Sequence, residues 1–213
     1  MKRLMKPEIY KNVLPHIHLT SNQIEEMIKI QDLKFYSTKS NIVENELSLP
    51  TFARPFYSYI FYHNRIPTQE EYYSYYLARN KAYFDENAFN QNIMHGIKAR
   101  LLRAMPSFVR DLHFNKYVEE RILGFNALYS LELDVEEGID LLLYNNRDIY
   151  GINLYTDTMR ARQGRKNKEK RHSSFSNVKY IEFPVVFKES HKCGQYFLYG
   201  ENEYNNLINI LQK

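Results

Sequence analysis

Apolar residues recur every three or four positions through the first half of this chain, and every second position through much of the remainder. The first spacing lines one face of a helix and the second one face of a strand, so the period alone predicts a helical front half and a sheet-bearing back half. Thr20, Ser21 and Asn22 offer capping groups before Ile24, Met27 and Ile28, with Glu25 and Glu26 close behind, which predicts a first amphipathic helix. Pro50, Pro55 and Pro67 punctuate the stretch after it. Thr68 is placed to cap a second helix, with Glu70 and Glu71 at its positive dipole end and Tyr72, Tyr73, Tyr76 and Leu77 carrying it to about Phe84. Ile93, Met94, Ile97, Leu101 and Leu102 predict a third helix over 89–104, which Pro106 closes, and a fourth is expected over 107–123.

The period then shortens. Residues 128–133 read as extended and 139–144 as a buried strand. Asn145, Asn146, Arg147 and Asp148 read as a hairpin turn, and 149–155 as the partner strand. Further strands are expected over 178–187 and 195–199, with a closing helix over 201–211. The predicted class is α/β (α+β), a mixed sheet flanked by helices, with a helical module over 1–104 in front of a domain over 105–213.

Composition narrows the chemistry. The 213 residues are 44% hydrophobic, enough for a real core, and include 19 Tyr and 13 Phe but no Trp. Tyrosine rings fill core edges while their hydroxyls reach water, and they also stack on bases. A single cysteine, Cys193, excludes an internal disulfide and an all-cysteine zinc site. No apolar stretch follows the charged start, and no run approaches the roughly eighteen apolar residues of a membrane span. The expectation is a cytoplasmic protein with no membrane partner. Few glycines and many Asn, Lys, Ile and Tyr fit an AT-rich coding sequence, as in a low-GC bacterium or its mobile elements. Glycine-rich phosphate loops, dinucleotide fingerprints, nucleophile elbows and zinc-ligand pairs at helical spacing are absent from the sequence.

Charge is concentrated in one place. Residues 160–171 hold Arg160, Arg162, Arg165, Lys166, Lys168, Lys170 and Arg171 against Glu169, six net positive charges, while the whole chain carries four. Seven cations this close repel one another unless an anion relieves them, so the tract is expected to contact the phosphates of a nucleic acid, with DNA favoured over RNA.

Two polar residues interrupt the strands before that tract. Asp140 lies among Ile139, Leu141, Leu142 and Leu143, where a lone carboxylate is costly unless paired or metal-bound. Asn153 follows thirteen residues later in the partner strand, between Ile152 and Leu154. On the helix before them, Ser107, Arg110, Asp111 and Phe114 share one face, putting three polar groups where a core helix would be apolar. Arg110 is the expected phosphate contact there. His113 lies off that stripe and reads as a surface or packing residue, and Glu119 and Glu120 as solvated.

The order of helix, carboxylate strand, polar strand and helix resembles the PD-(D/E)XK nuclease superfamily over the C-terminal half. Asp140 stands where that family's metal-binding Asp would be, and Asn153 with Tyr155 where its second acid and Lys would be. The resemblance implies a nuclease-like core in which Asp111 and Asp140 bind Mg²⁺ (or Mn²⁺), with Asn153 as the third catalytic position, for phosphodiester hydrolysis. Asn153 lacks the second charge and Tyr155 is no cation, so a non-catalytic accessory factor on the same scaffold is the alternative. A phage, plasmid or defence context suits either, and an oligomer is compatible with both. His16-Ile17-His18, with the tyrosines at 72, 73, 75 and 76, also resembles the HUH replication and mobilisation endonucleases.

Overall fold

A computed structural model describes residues 3–37, 39–156, 175–185 and 191–212, and the cationic tract 160–171 lies outside the described residues. The fold is α+β, with a helical N-terminal part, a four-stranded mixed sheet and a small two-stranded sheet. Two compact units emerge: a helical one of residues 22–110 with 193–196, and a sheet-bearing one of residues 1–21, 111–192 and 197–213.

The helical unit contains most of α1 (Ser21–Lys29), then α2 (Ala53–His63), α3 (Gln69–Arg79), α4 (Lys81–Asn87) and the first part of α5 (Gln91–Arg121). Thr68 caps α3 as the sequence predicts. Its hydroxyl accepts from the Glu71 N–H at 3.3 Å, and the Glu71 carboxylate accepts from the Thr68 N–H at 2.9 Å. The helix expected to reach Phe84 breaks at Asn80, whose side-chain amide donates to the Tyr76 carbonyl at 2.8 Å. Helix α2 is an element that the proline count concealed. Pro55 falls in its first turn, where a missing N–H costs nothing, and Phe56 packs edge-on against Tyr57 and Tyr72. Tyr196 and Gln195 belong to this unit because the Tyr196 hydroxyl donates to Gln31 at 2.9 Å and Gln195 accepts from the Leu33 N–H at 2.7 Å.

Pro106 does not end a helix. Helix α5 runs through it without a break, where two helices are expected from the sequence. Leu101, Leu102, Met105, Val109 and Leu112 are all fully buried, and burying each contributes about 1.5–3 kcal/mol, together well above the roughly 3 kcal/mol that an interior proline costs. The boundary expected near residue 105 therefore falls inside a continuous helix.

The sheet of the second unit has the order β1-β2-β3-β4, with β1 (Asn126–Leu128), β2 (Leu141–Tyr144), β3 (Ile149–Thr156) and β4 (Lys179–Val185). The first two pairings are antiparallel and β3–β4 is parallel. One face of the sheet buries Leu141, Leu143, Ile152, Leu154 and Phe183, with Phe114 of α5 stacked on Phe183 at 6.2 Å. The other packs Leu128 and Leu142 with Met5, Tyr10, Leu133, Ile139, Phe175 and Val178. The first residues are laced to this unit: the Met5 N–H donates to Asn177 at 2.7 Å and the Val13 N–H to the Tyr129 carbonyl at 2.8 Å.

Residues expected to be extended over 128–133 split instead between the end of β1 and a helical turn, Leu133–Glu137. Gly138, at φ +69°, caps that turn in the left-handed region and redirects the chain toward Asp140 and β2. The strand expected over 195–199 is β6 (Tyr196–Leu198), paired with β5 (His191–Cys193), which the sequence pattern did not show. The closing helix is α6 (Glu201–Leu211), as expected.

Candidate functional site

Register brings the two flagged strand residues together. Leu141 pairs with Ile152, so Asp140 and Asn153 fall next to each other at the entrance to the β2–β3 ladder. Asp140 is 9% exposed; its N–H donates to the Ile152 carbonyl at 2.9 Å and its carboxylate accepts from the Leu154 N–H at 2.7 Å. The carboxylate thus takes the place of a strand carbonyl. Asn115 of α5 donates to the Asp140 carbonyl at 3.2 Å, fixing this backbone from the helix side.

Asn153 is only 2% exposed and opposes Glu182 across the parallel β3–β4 pair. Its amide group donates to both Glu182 oxygens, at 3.3 and 3.1 Å. That orientation is forced, because turning the amide over would set its oxygen against a carboxylate. The consequence is a buried Asn153 Oδ1 with no hydrogen-bond partner among the described residues. An orphaned buried acceptor costs about 1–3 kcal/mol unless a donor or cation meets it.

Glu182 is the acid that sequence reasoning missed. It is a single charge within the apolar strand Ile181-Glu-Phe183, the same signal that marked Asp140. What the sequence lacked was the strand order, because Glu182 reaches Asn153 only through a parallel pairing across a connection of 22 residues, 157–178. That connection contains the tract with Arg160, Arg162, Arg165, Lys166, Lys168, Lys170 and Arg171, which begins four residues after β3 ends at Thr156.

Asp111 is half-buried on α5, one turn before Asn115, hence one turn from the helix position that touches the Asp140 backbone. Arg110 is buried and donates to the Ser107 hydroxyl at 3.2 Å, so part of that polar stripe is satisfied along the helix itself. His113, expected at the surface or in packing, is fully buried with its ring 5.9 Å from Tyr117. Glu119 pairs with Lys116 at 2.5 Å. Glu120 accepts from the Ser21 N–H and hydroxyl at 2.7 and 2.6 Å. Burial opposes ionisation of Glu120, but these bonds and the Arg121 charge outweigh it and hold the carboxyl below its usual range.

His16 closes a short 3₁₀ turn, Leu14–His16, and His18 follows in irregular chain, both exposed, so the strand that a two-histidine metal site requires is not formed there. Tyr72 and Tyr76 are fully buried, with hydroxyls donated to the carbonyls of Phe52 and Pro50.

Among the described residues, no group of three or more His, Cys, Asp or Glu side chains is placed to hold a metal ion. Asp140, Glu182 and the Asn153 carbonyl are nonetheless hard oxygen donors, the type Mg²⁺ takes, and that ion commonly uses one or two carboxylates with water completing its shell. No described helix is long and apolar enough to cross a membrane. No family model, curated protein or solved structure matches this chain.

Proposed function

We propose that this chain binds nucleic acid through the cations of 160–171, in the connection that joins β3 to β4. The carrying observation is the charge distribution: six net positive charges in twelve residues, against two net negative charges over the other 201. A nearly neutral body with one dense cationic segment suits a polyanion held at one place, with phosphate contacts that position rather than specify. The test replaces Arg160, Arg162, Arg165 and Lys166 by Ala and measures DNA and RNA affinity across a salt series. Affinity should fall and the slope of log K against log[salt] should flatten by about 0.7–0.9 per lost phosphate contact. Equal affinity and slope in the variant would remove the reading.

The orphaned Asn153 Oδ1 favours a second reading, hydrolysis of a phosphodiester with Mg²⁺ or Mn²⁺. Bound there, the ion would supply Lewis-acid polarisation of a phosphoryl oxygen. Asp140, Glu182 and the Asn153 carbonyl would hold it, with Asp111, one turn before Asn115 on α5, as a further acid and Arg110 as a phosphate contact. Nicking of nucleic acid by the wild-type chain with Mg²⁺ or Mn²⁺, abolished by Asp140→Asn, is the expected result. No cleavage of single- or double-stranded DNA or RNA would leave a binding protein on this scaffold.

A further inference from the structure

We infer that a cavity in the helical unit, between the start of α2 and the end of α3, is a binding pocket for a phosphate group. The cavity measures about 280 Å³ and is lined by Pro50, Thr51, Arg54, Pro55, Arg79 and Asn80. That is below the roughly 300–1,000 Å³ of drug-sized sites, so it suits an ion or a single head group. Its lining carries two cations and no acid. Three other arginines of this unit have acidic partners: Arg65 pairs with Glu71, and Arg100 and Arg103 share Glu44. Arg54 and Arg79 are exposed, and neither forms an ion pair among the described residues.

The position of Arg54 is unfavourable on its own terms. It sits in the first turn of α2, at the positive end of the helix dipole, in a turn with no acidic residue and no side-chain cap. Arg79 taken alone is well placed, since it ends α3 where the dipole favours a cation. Converging on one cavity, the two guanidinium groups and the α2 terminus add repulsions that nothing in the lining offsets. A phosphate relieves all three, accepting from Arg54 and Arg79 and from the Ala53 and Arg54 N–H groups at the start of α2, Pro55 having none.

The walls are also held in place before any ligand arrives. The fully buried Tyr72 and Tyr76 donate their hydroxyls to the carbonyls of Phe52 and Pro50 at 2.8 and 3.1 Å, fixing the segment that leads into α2. Burial raises both phenols above their ordinary range, so these donors persist at any pH the fold survives. Asn80 is anchored from the other side by its bond to the Tyr76 carbonyl at 2.8 Å. The pocket therefore rests on α2, α3 and a clamped connection.

This inference is independent of the 160–171 tract. Its test uses the full chain with inorganic phosphate as probe, and chloride at equal ionic strength as control. Saturable shifts are expected in the Arg54 and Arg79 side-chain NMR signals and in the Ala53 and Arg54 amides. Arg54→Gln and Arg79→Gln should each weaken phosphate binding about tenfold, and the double variant should abolish it with an unchanged melting temperature. No saturable shift in the wild type, or undiminished binding in the double variant, would overturn the pocket. A single-stranded oligonucleotide separates two sources of the phosphate. If the pocket takes a nucleic-acid backbone, the double variant lowers oligonucleotide affinity and flattens its salt slope by about 1–2. If it takes a free phosphate or phosphomonoester, oligonucleotide affinity is unchanged while inorganic phosphate binding is lost.

Discussion

At the scale of single residues, the informative positions are polar groups in apolar strands. Asp140 and Asn153 were legible in the sequence for that reason, and the structure gives each a defined bond. Asp140 accepts the Leu154 N–H, so its loss leaves a buried donor unmet. Asp140→Ala should destabilise the chain by about 1–3 kcal/mol in urea unfolding, whereas Asp140→Asn, which keeps an acceptor, should cost clearly less. That difference makes Asp140→Asn the proper variant for activity, since loss of cleavage would then report chemistry rather than unfolding. Glu182 carried the same sequence signal as Asp140 but no partner to interpret it by. Its importance rests on Asn153, and Asn153 meets it only because β3 and β4 run parallel.

At the scale of elements, local chemistry was readable wherever both halves of an interaction lie within a few residues. The α3 cap is such a case. The guanidinium of Arg65 and the groups of Thr68 hold the Glu71 carboxyl down to about 2, against a partial opposing effect of burial. Its folded value lies below the ordinary 4.5, so the contribution is complete above about pH 4.5 and is lost as pH falls toward 2. The stability difference between wild type and Glu71→Gln, measured by urea midpoint, should therefore shrink over that interval. Glu71 is more than a third exposed, so solvent screening keeps the effect small. Gly138→Ala should cost about 1–2 kcal/mol, because the left-handed cap before Asp140 suits no side chain. Elements were misread where a local signal met a tertiary one. Pro106 marks a helix end by propensity, yet the buried stripe from Leu101 to Leu112 carries α5 through it.

At the scale of the whole molecule, the fold divides by packing rather than by sequence order. Residues 1–21 join the sheet unit through hydrogen bonds to Tyr129 and Asn177, and residues 193–196 join the helical unit through Gln31 and Leu33. Gly194 makes the second exchange feasible: it turns at φ +58°, where an added Cβ would stand 3.0 Å from the Lys29 carbonyl oxygen. Charge, by contrast, is a property of the chain as written. Replacing all seven cations of 160–171 by Gln would leave a net negative protein, which should no longer be retained on an anionic heparin column that holds the wild type. Written in the sequence alone are the α+β class, the start of α1 near Ser21, the capped start of α3, the hairpin around residues 145–148 and the cationic tract, because each depends on neighbours along the chain. Only the tertiary structure decided the continuity of α5, the parallel β3–β4 pairing that joins Asn153 to Glu182, and the convergence of Arg54 with Arg79. Those depend on residues distant in sequence, whose approach is set by burial and strand order, and neither is encoded in any local pattern.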